Sequence, residues 1–200
     1  MEDQTMPVVS LLVPICNVER YLRDCLDSAA AQTLRDIEVI CINDGSTDSS
    51  LDIINEYVAR DSRFRVIDKP NSGYGDSMNQ GIAVARGTYI GILESDDFMF
   101  SDALEKLVAK ARQTNAQVVK GDFFLYWSTP VQRKELFSII DKPMLGDAYC
   151  PIDRPGIFYK KPSIWSAIYR RDFLNENDIR FLPTPGASYQ DAGFNFKVWA

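Results

Sequence analysis

Through the first 120 residues, short apolar runs alternate with longer stretches of helical period, the pattern of an α/β domain with a mainly parallel sheet. Val8-Val9-Ser10-Leu11-Leu12-Val13, closed by Pro14, reads as a first buried strand. Residues 37–42, 64–67 and 89–93 read as the next three, and 117–120, extending toward Phe124, as a fifth. Between them, residues 19–32 place Tyr21, Leu22, Cys25, Leu26 and Ala29 on one helical stripe. A second helix, with Leu51, Ile54, Tyr57 and Val58 on its apolar face, starts from cap residues at the end of the turn Asn43-Asp44-Gly45-Ser46-Thr47-Asp48. A third runs over 76–85 and stops before Gly87, and a fourth over 103–114 with Ser101 as its cap. After Phe124 the regularity fades into a proline-punctuated, aromatic-rich region, from Pro130 to Pro143 and Pro185. That region is expected as loops and short elements folding back over the sheet's edge. The division is a tail at 1–7, a regular half at 8–124 and a second half of the same domain at 125–200.

Composition narrows the partners. With 200 residues and 46% hydrophobic content the chain has enough apolar surface for one real core. A net charge of −6 argues against a nucleic-acid backbone as the main partner, since that calls for clustered Lys and Arg. The four cysteines show no metal-binding spacing and there is no histidine, so a zinc site and a Ser-His or Cys-His dyad are excluded. Free thiols of a reducing compartment are the simplest reading, with a cytoplasmic location that extends to the inner face of the plasma membrane. The sequence stops at Ala200 inside an amphipathic run, so membrane or acceptor elements are expected to lie beyond it.

The candidate chemistry begins at Glu94-Ser95-Asp96-Asp97, three carboxylates at the end of an apolar strand. Carboxylates so close repel one another and need a cation to stay ionised. Mg²⁺ or Mn²⁺ would answer that need, because such ions take one or two protein carboxylates and fill their remaining positions with water and phosphate oxygens. The alternative is a solvated acidic turn that caps the next helix. In open α/β sheets ligands collect beyond the carboxyl ends of the strands, where this turn meets Pro14-Ile15-Cys16-Asn17, Asn43-Asp44-Gly45-Ser46 and Lys69-Pro70-Asn71-Ser72-Gly73-Tyr74-Gly75. The glycines of the last loop allow close backbone approach to a ligand. Lys69 itself reads as an exposed strand-end residue.

These segments carry a resemblance. Val13-Pro14-Ile15-Cys16-Asn17-Val18-Glu19-Arg20-Tyr21-Leu22, Asn43-Asp44-Gly45-Ser46-Thr47-Asp48, Asn71-Ser72-Gly73, Asn79-Gln80-Gly81, Ala85-Arg86-Gly87-Thr88-Tyr89-Ile90 and Ser95-Asp96-Asp97 closely resemble the family 2 glycosyltransferases of GT-A fold. A looser match covers residues 165–169 and Tyr189-Gln190-Asp191.

The resemblance implies inverting transfer of a sugar from a nucleotide-diphosphate donor, most simply a UDP-sugar, to a hydroxyl of a saccharide or lipid-linked acceptor in cell-surface polysaccharide synthesis. The half at 8–124 would bind the nucleotide sugar and the half at 125–200 would face the acceptor. Pro14, Asn17, Glu19 and Gly73 would line the donor pocket, and Asp44 would accept a hydrogen bond from a base ring nitrogen. Asp96 would lie near ribose and diphosphate and share with Asp97 the Mn²⁺ or Mg²⁺ ion, while Asp191 would be the catalytic base, its alternative role being to cap the last helix. The family commonly has Tyr at Cys16, Arg at Met78, Asp at Glu94 and Glu at Gln190. A second reading, a catalytically silent nucleotide-sugar-binding module, differs from the enzyme at Asp191, whose carboxylate favours the enzyme. A nucleotidyltransferase is disfavoured, since Pro14-Ile15-Cys16-Asn17 stands where its Gly-rich basic loop would be.

Overall fold

The computed structural model describes residues 6–139, 146–184 and 189–200; residues 1–5, Pro143 and Pro185 lie outside them. In chain order the elements are β1 (Val9–Ile15), α1 (Glu19–Ala30), β2 (Ile37–Asp44), α2 (Ser50–Arg60), β3 (Phe64–Lys69), α3 (Tyr74–Val84) and β4 (Tyr89–Ile92). There follow α4 (Ala103–Thr114), β5 (Val118–Lys120), β6 (Phe123–Trp127), β7 (Arg133–Phe137), β8 (Ala167–Arg170), α5 (Arg171–Glu176) and α6 (Gln190–Trp199). The main sheet runs β3-β2-β1-β4-β8-β5, and β6 and β7 pair separately. β3, β2, β1 and β4 are mutually parallel, whereas β8 is antiparallel to both of its neighbours.

Every residue of β1 and β2 is buried, because helices cover both faces of the sheet. Alternation then sorts the side chains. Val9, Leu11, Val13, Val39 and Cys41 join a core with Leu22, Leu26, Ile54, Tyr57 and Val108 from α1, α2 and α4. Leu12, Ile40 and Ile42 point the other way, into a core with Met78 and Ile82 of α3 and Phe194 of α6. Each fully buried Leu or Ile contributes about 1.5–3 kcal/mol by leaving water. Tyr21, expected on the apolar stripe of α1, is 43% exposed. It sits in the first turn, beyond the sheet's edge, where α1 borders a cleft.

Three further expectations change. β1 does not close at Pro14 but continues to Ile15, paired with β2. Leu12 offers its carbonyl to Leu93 on the β4 side, and Pro14, two residues on, faces the same side past the end of β4. Its missing N–H therefore removes no ladder bond. Ser101 does not cap α4; the position before the helix is Asp102, with no side-chain cap. The predicted fifth strand breaks at Gly121, and Phe123 opens the β6–β7 hairpin. The proline-rich region also does more than cover an edge. β8 enters the sheet between β4 and β5 with Ala167, Ile168 and Tyr169 all buried.

Candidate functional site

At the carboxyl ends of β1 and β2, two loops clasp each other. Asn17 adopts a left-handed backbone, φ 51°, which an Asn tolerates. Its Oδ1 accepts from the Thr47 amide at 2.7 Å and the Asp48 amide at 3.3 Å, and its own N–H donates to Ser46 Oγ at 3.1 Å. The starts of α1 and α2 are tied reciprocally. Asp48 accepts from the amides of Glu19 and Ser50, each at 3.0 Å, while Glu19 Oε2 accepts from the Ser49 amide at 2.8 Å. Carboxylates at helix N-termini satisfy orphan N–H groups and favour the positive ends of the helix dipoles. Both helices thus begin at a fixed point beside one cleft.

The β3–α3 loop is organised by Asp44. Only 5% exposed, its carboxylate pairs with Lys69 and accepts from the Ser72 amide at 2.8 Å and the Gly73 amide at 3.0 Å. Burial alone would raise this carboxyl, but Lys69 and the two amides outweigh it and hold it below its ordinary range. Gly73 has φ 95°, a backbone that side chains disfavour, and this bend points both amides at Asp44. Lys69 is not the exposed residue expected from sequence. Its side chain is 9% exposed, between Asp44, Ser72 and Asp76.

An open cleft of about 690 Å³ lies among these ends, bordered by Asn17, Glu19, Tyr21, Tyr74 and Asp96. Of the expected donor residues it brings together Asn17, Glu19 and Asp96. Pro14 is buried within β1, and Asp44 and Gly73 are buried behind the loop they shape. Asp96 and Asp97 are exposed on the turn after β4, which the Asp97 amide closes on the Glu94 carbonyl at 3.0 Å. Although Asp97 is exposed, the chain around its carboxyl group takes away part of its water, and this first, then Asp96, pushes it up against the pull of Lys161. This like-charge pair of hard oxygen donors fits a divalent cation in need of only two protein ligands. Among the described residues no group of three Asp, Glu, His or Cys is assembled to hold a metal by itself.

Glu94 behaves differently. It is partly buried, and Tyr74 donates to its Oε1 at 2.7 Å. Burial first, then Asp96, Asp97 and Asp191, raise its carboxyl to about 7 against the opposing hydrogen bond. Asp191, far off in sequence, is thereby within electrostatic reach of the acidic turn. Asp191 does not cap the last helix: Tyr189 holds that position and Asp191 lies in the first turn of α6. Its neighbour Gln190, 4% exposed, turns inward and donates to Thr184 Oγ1 at 3.0 Å. Sequence reasoning missed Tyr74 and Asp48. Tyr74 stands between two glycines at a predicted ligand edge, a signal that was there to be read, whereas Asp48 reads as a helix cap, which is half of what it does.

The family model described as Glycosyl transferase family 2 matches residues 10–198. The uncharacterized glycosyltransferase EpsJ of Bacillus subtilis (strain 168) is 49% identical over 88 residues, 44% of this chain and 26% of that protein. Among solved structures, S. aureus TarS 1–349 in complex with UDP superposes with a TM-score of 0.78 at 26% identity, covering 96% of this chain and 54% of that one. The mannosyltransferase PcManGT from Pyrobaculum calidifontis, in complex with GDP-Man and Mn2+, has a TM-score of 0.66 at 16% identity, covering 96% and 52%, and supports the fold alone. The chain thus spans about half the length of these structures, and a quarter of EpsJ.

Proposed function

The chain belongs to glycosyltransferase family 2, and from that premise we propose that it transfers a sugar, with inversion, from a UDP-sugar to a hydroxyl of a saccharide or lipid-linked acceptor in cell-surface polysaccharide synthesis. The observation that carries this reading is the convergence of Asn17, Glu19 and Asp96 on one cleft, with Asp97 on the same turn and Asp191 within electrostatic reach of its Glu94. UDP bound to TarS supports the choice of nucleotide.

Asp96 and Asp97 would hold Mn²⁺ or Mg²⁺, which when bound supplies positive charge to the departing diphosphate. The chain's own residues do the rest. The clasped β1 and β2 loops present a rigid wall for the nucleoside, and Asp44 keeps the Gly73 loop in the shape that borders it. Asp191 takes the proton from the acceptor hydroxyl as its oxygen bonds to the anomeric carbon. The bond from that carbon to the diphosphate oxygen breaks on the opposite face, and its electron pair leaves with the nucleoside diphosphate. One displacement gives one inversion.

Calorimetric titration with UDP, dTDP, GDP and CDP, each with and without Mn²⁺, tests the donor site. Mn²⁺-dependent binding of UDP that disappears in Asp97→Ala is expected. Equal affinity with and without Mn²⁺ would refute the metal role, and preference for another nucleotide would refute the choice of UDP. No helix of the described residues is long and apolar enough to cross a membrane. A lipid-linked acceptor would be met at a membrane surface, an association that flotation with liposomes would detect.

A further inference from the structure

Met78 and Glu94 are connected in the structure through a third residue, Tyr74. Met78 is fully buried in the core beneath α3, so no charged group at this position faces the acidic turn. Tyr74 stands one turn earlier on the same helix, and residues four apart share a helical face. From there its hydroxyl reaches Glu94 Oε1 at 2.7 Å. The extra methylene of Glu relative to Asp lengthens the side chain toward the phenol.

Tyr74 is itself held in place. Its ring meets Phe181 edge-on, with centroids 5.8 Å apart and planes at 76°. The next residue, Gly75, lets the 181–182 backbone pass so close that an added Cβ would lie 2.0 Å from the Leu182 carbonyl oxygen. Asn79, one turn on, locks the same segment with two hydrogen bonds of 2.9 Å to the backbone of Phe181. Tyr74, Ser95 and Asp96 form part of the cleft's lining, whereas Glu94 and Asp97 do not; of these two, Glu94 is partly buried and held by the phenol, and Asp97 is exposed on the turn.

We infer that Tyr74 is a positioning residue: by gripping Glu94 it divides the acidic run, so that a cation arriving with a diphosphate meets Asp96 and Asp97 and not a third carboxylate. This rests on the donor-site reading above. A released Glu94 would turn toward the cation, since a carboxylate among like charges gains most from a positive partner. The ion would then be held more tightly by the protein alone. It would have fewer positions left for phosphate oxygens.

The test uses Mn²⁺ alone, followed by electron paramagnetic resonance, and UDP with saturating Mn²⁺, followed by calorimetry. Tyr74→Phe should bind free Mn²⁺ several-fold more tightly and UDP about tenfold more weakly, the scale of one hydrogen bond to a charged group. The double variant Tyr74→Phe with Glu94→Gln should return both affinities to within about twofold of wild type, a rescue that a merely structural tyrosine would not give. Glu94→Asp, too short for the phenol, should shift both in the same direction as Tyr74→Phe and serves if the phenylalanine variant does not fold. Unchanged Mn²⁺ affinity in Tyr74→Phe and Glu94→Asp, or failure of the double variant to recover, overturns the inference. If wild type binds Mn²⁺ but no UDP, the donor reading fails while the Mn²⁺ comparison still decides the role of Tyr74. If it binds neither, both fall.

Discussion

Glu38 is a charged residue in the middle of a buried strand, and replacing it by Gln should cost the fold a measurable amount. It is 3% exposed and lies where β1, β2 and the turn before β4 meet. Oε1 accepts from Ser10 Oγ at 2.5 Å and from the Arg86 amide at 2.7 Å. Oε2 faces two guanidinium groups, Arg65 at 3.0 Å and Arg86 at 3.3 Å. Ser10 Oγ in turn accepts from the Gly87 amide at 2.8 Å. An amide in this place keeps an oxygen toward Ser10 only by turning its NH₂ toward the two guanidiniums, donor against donor. Two hydrogen bonds between charged groups, at roughly 1.5–3 kcal/mol each, set the upper bound. The Arg65 and Arg86 side chains are 37% and 50% exposed and can turn to water, which lowers the net loss to about 2–3 kcal/mol. For a chain of 200 residues that is a fall in Tm of about 4–12 °C. The pH dependence provides a further check. Burial would raise the Glu38 carboxyl, but Ser10, the Arg86 amide and the two guanidiniums hold it below its ordinary 4.5. A carboxyl lowered by folding adds stability above its unfolded pKa and loses it as pH falls through the folded one. The gap between wild type and Glu38→Gln, measured by urea unfolding, should therefore be full at pH 7 and shrink below about pH 4.5. A gap under about 0.5 kcal/mol at pH 7, or one that persists unchanged into acid, would refute the reasoning.

Asp191→Asn should leave Mn²⁺-dependent UDP affinity within about twofold and stop transfer, because it removes a proton acceptor and keeps the shape; full transfer by the variant would exclude Asp191 as the base. Gly75→Ala should destabilise by about 1–3 kcal/mol through overpacking, since the new methyl meets the Leu182 carbonyl oxygen at 2.0 Å, and an unchanged urea midpoint would show that the 181–182 segment gives way freely. Lys120 donates to the Ser163 carbonyl, and burial lowers its ammonium to about 7. Between pH 7 and 10.5 the unfolded chain holds that proton and the folded one does not, so wild type gains stability as pH rises through this window. Lys120→Met should accordingly be stabilised relative to wild type at pH 6.5 and lose that advantage by pH 9.5; the Ser163 carbonyl keeps a partner in the Ser166 amide at 3.2 Å. A constant difference between the two variants across this range would show that burial of the ammonium is not what sets their relative stability.

Local pattern decided the first half of the molecule. Strands β1 to β4 and the helices between them were legible because each strand is a short, largely apolar run and each helix a stripe of period 3.6, bounded by Gly, Pro or capping residues. The edge on which Asn17, Glu19 and Asp96 gather followed from that order, since parallel strands joined by helices deliver their loops to the same end of the sheet. What the sequence could not decide was any feature set by pairing over distance. β8 is four residues long and shows no period; it is a strand because the open sides of β4 and β5 both bond to it. Lys69 reads as an exposed strand end until the loop it starts folds back and sets Asp44 beside it. Asp44 and Asp48, read as a ligand contact and a helix cap, are also the acceptors that hold three loops together. Glu94 differs from Asp96 and Asp97 in being partly buried with a phenol within reach, and that phenol comes from a helix 20 residues earlier in the chain. A residue type fixes what a group can donate, accept or ionise, whereas its role depends on the partners and the solvent that the tertiary fold leaves around it.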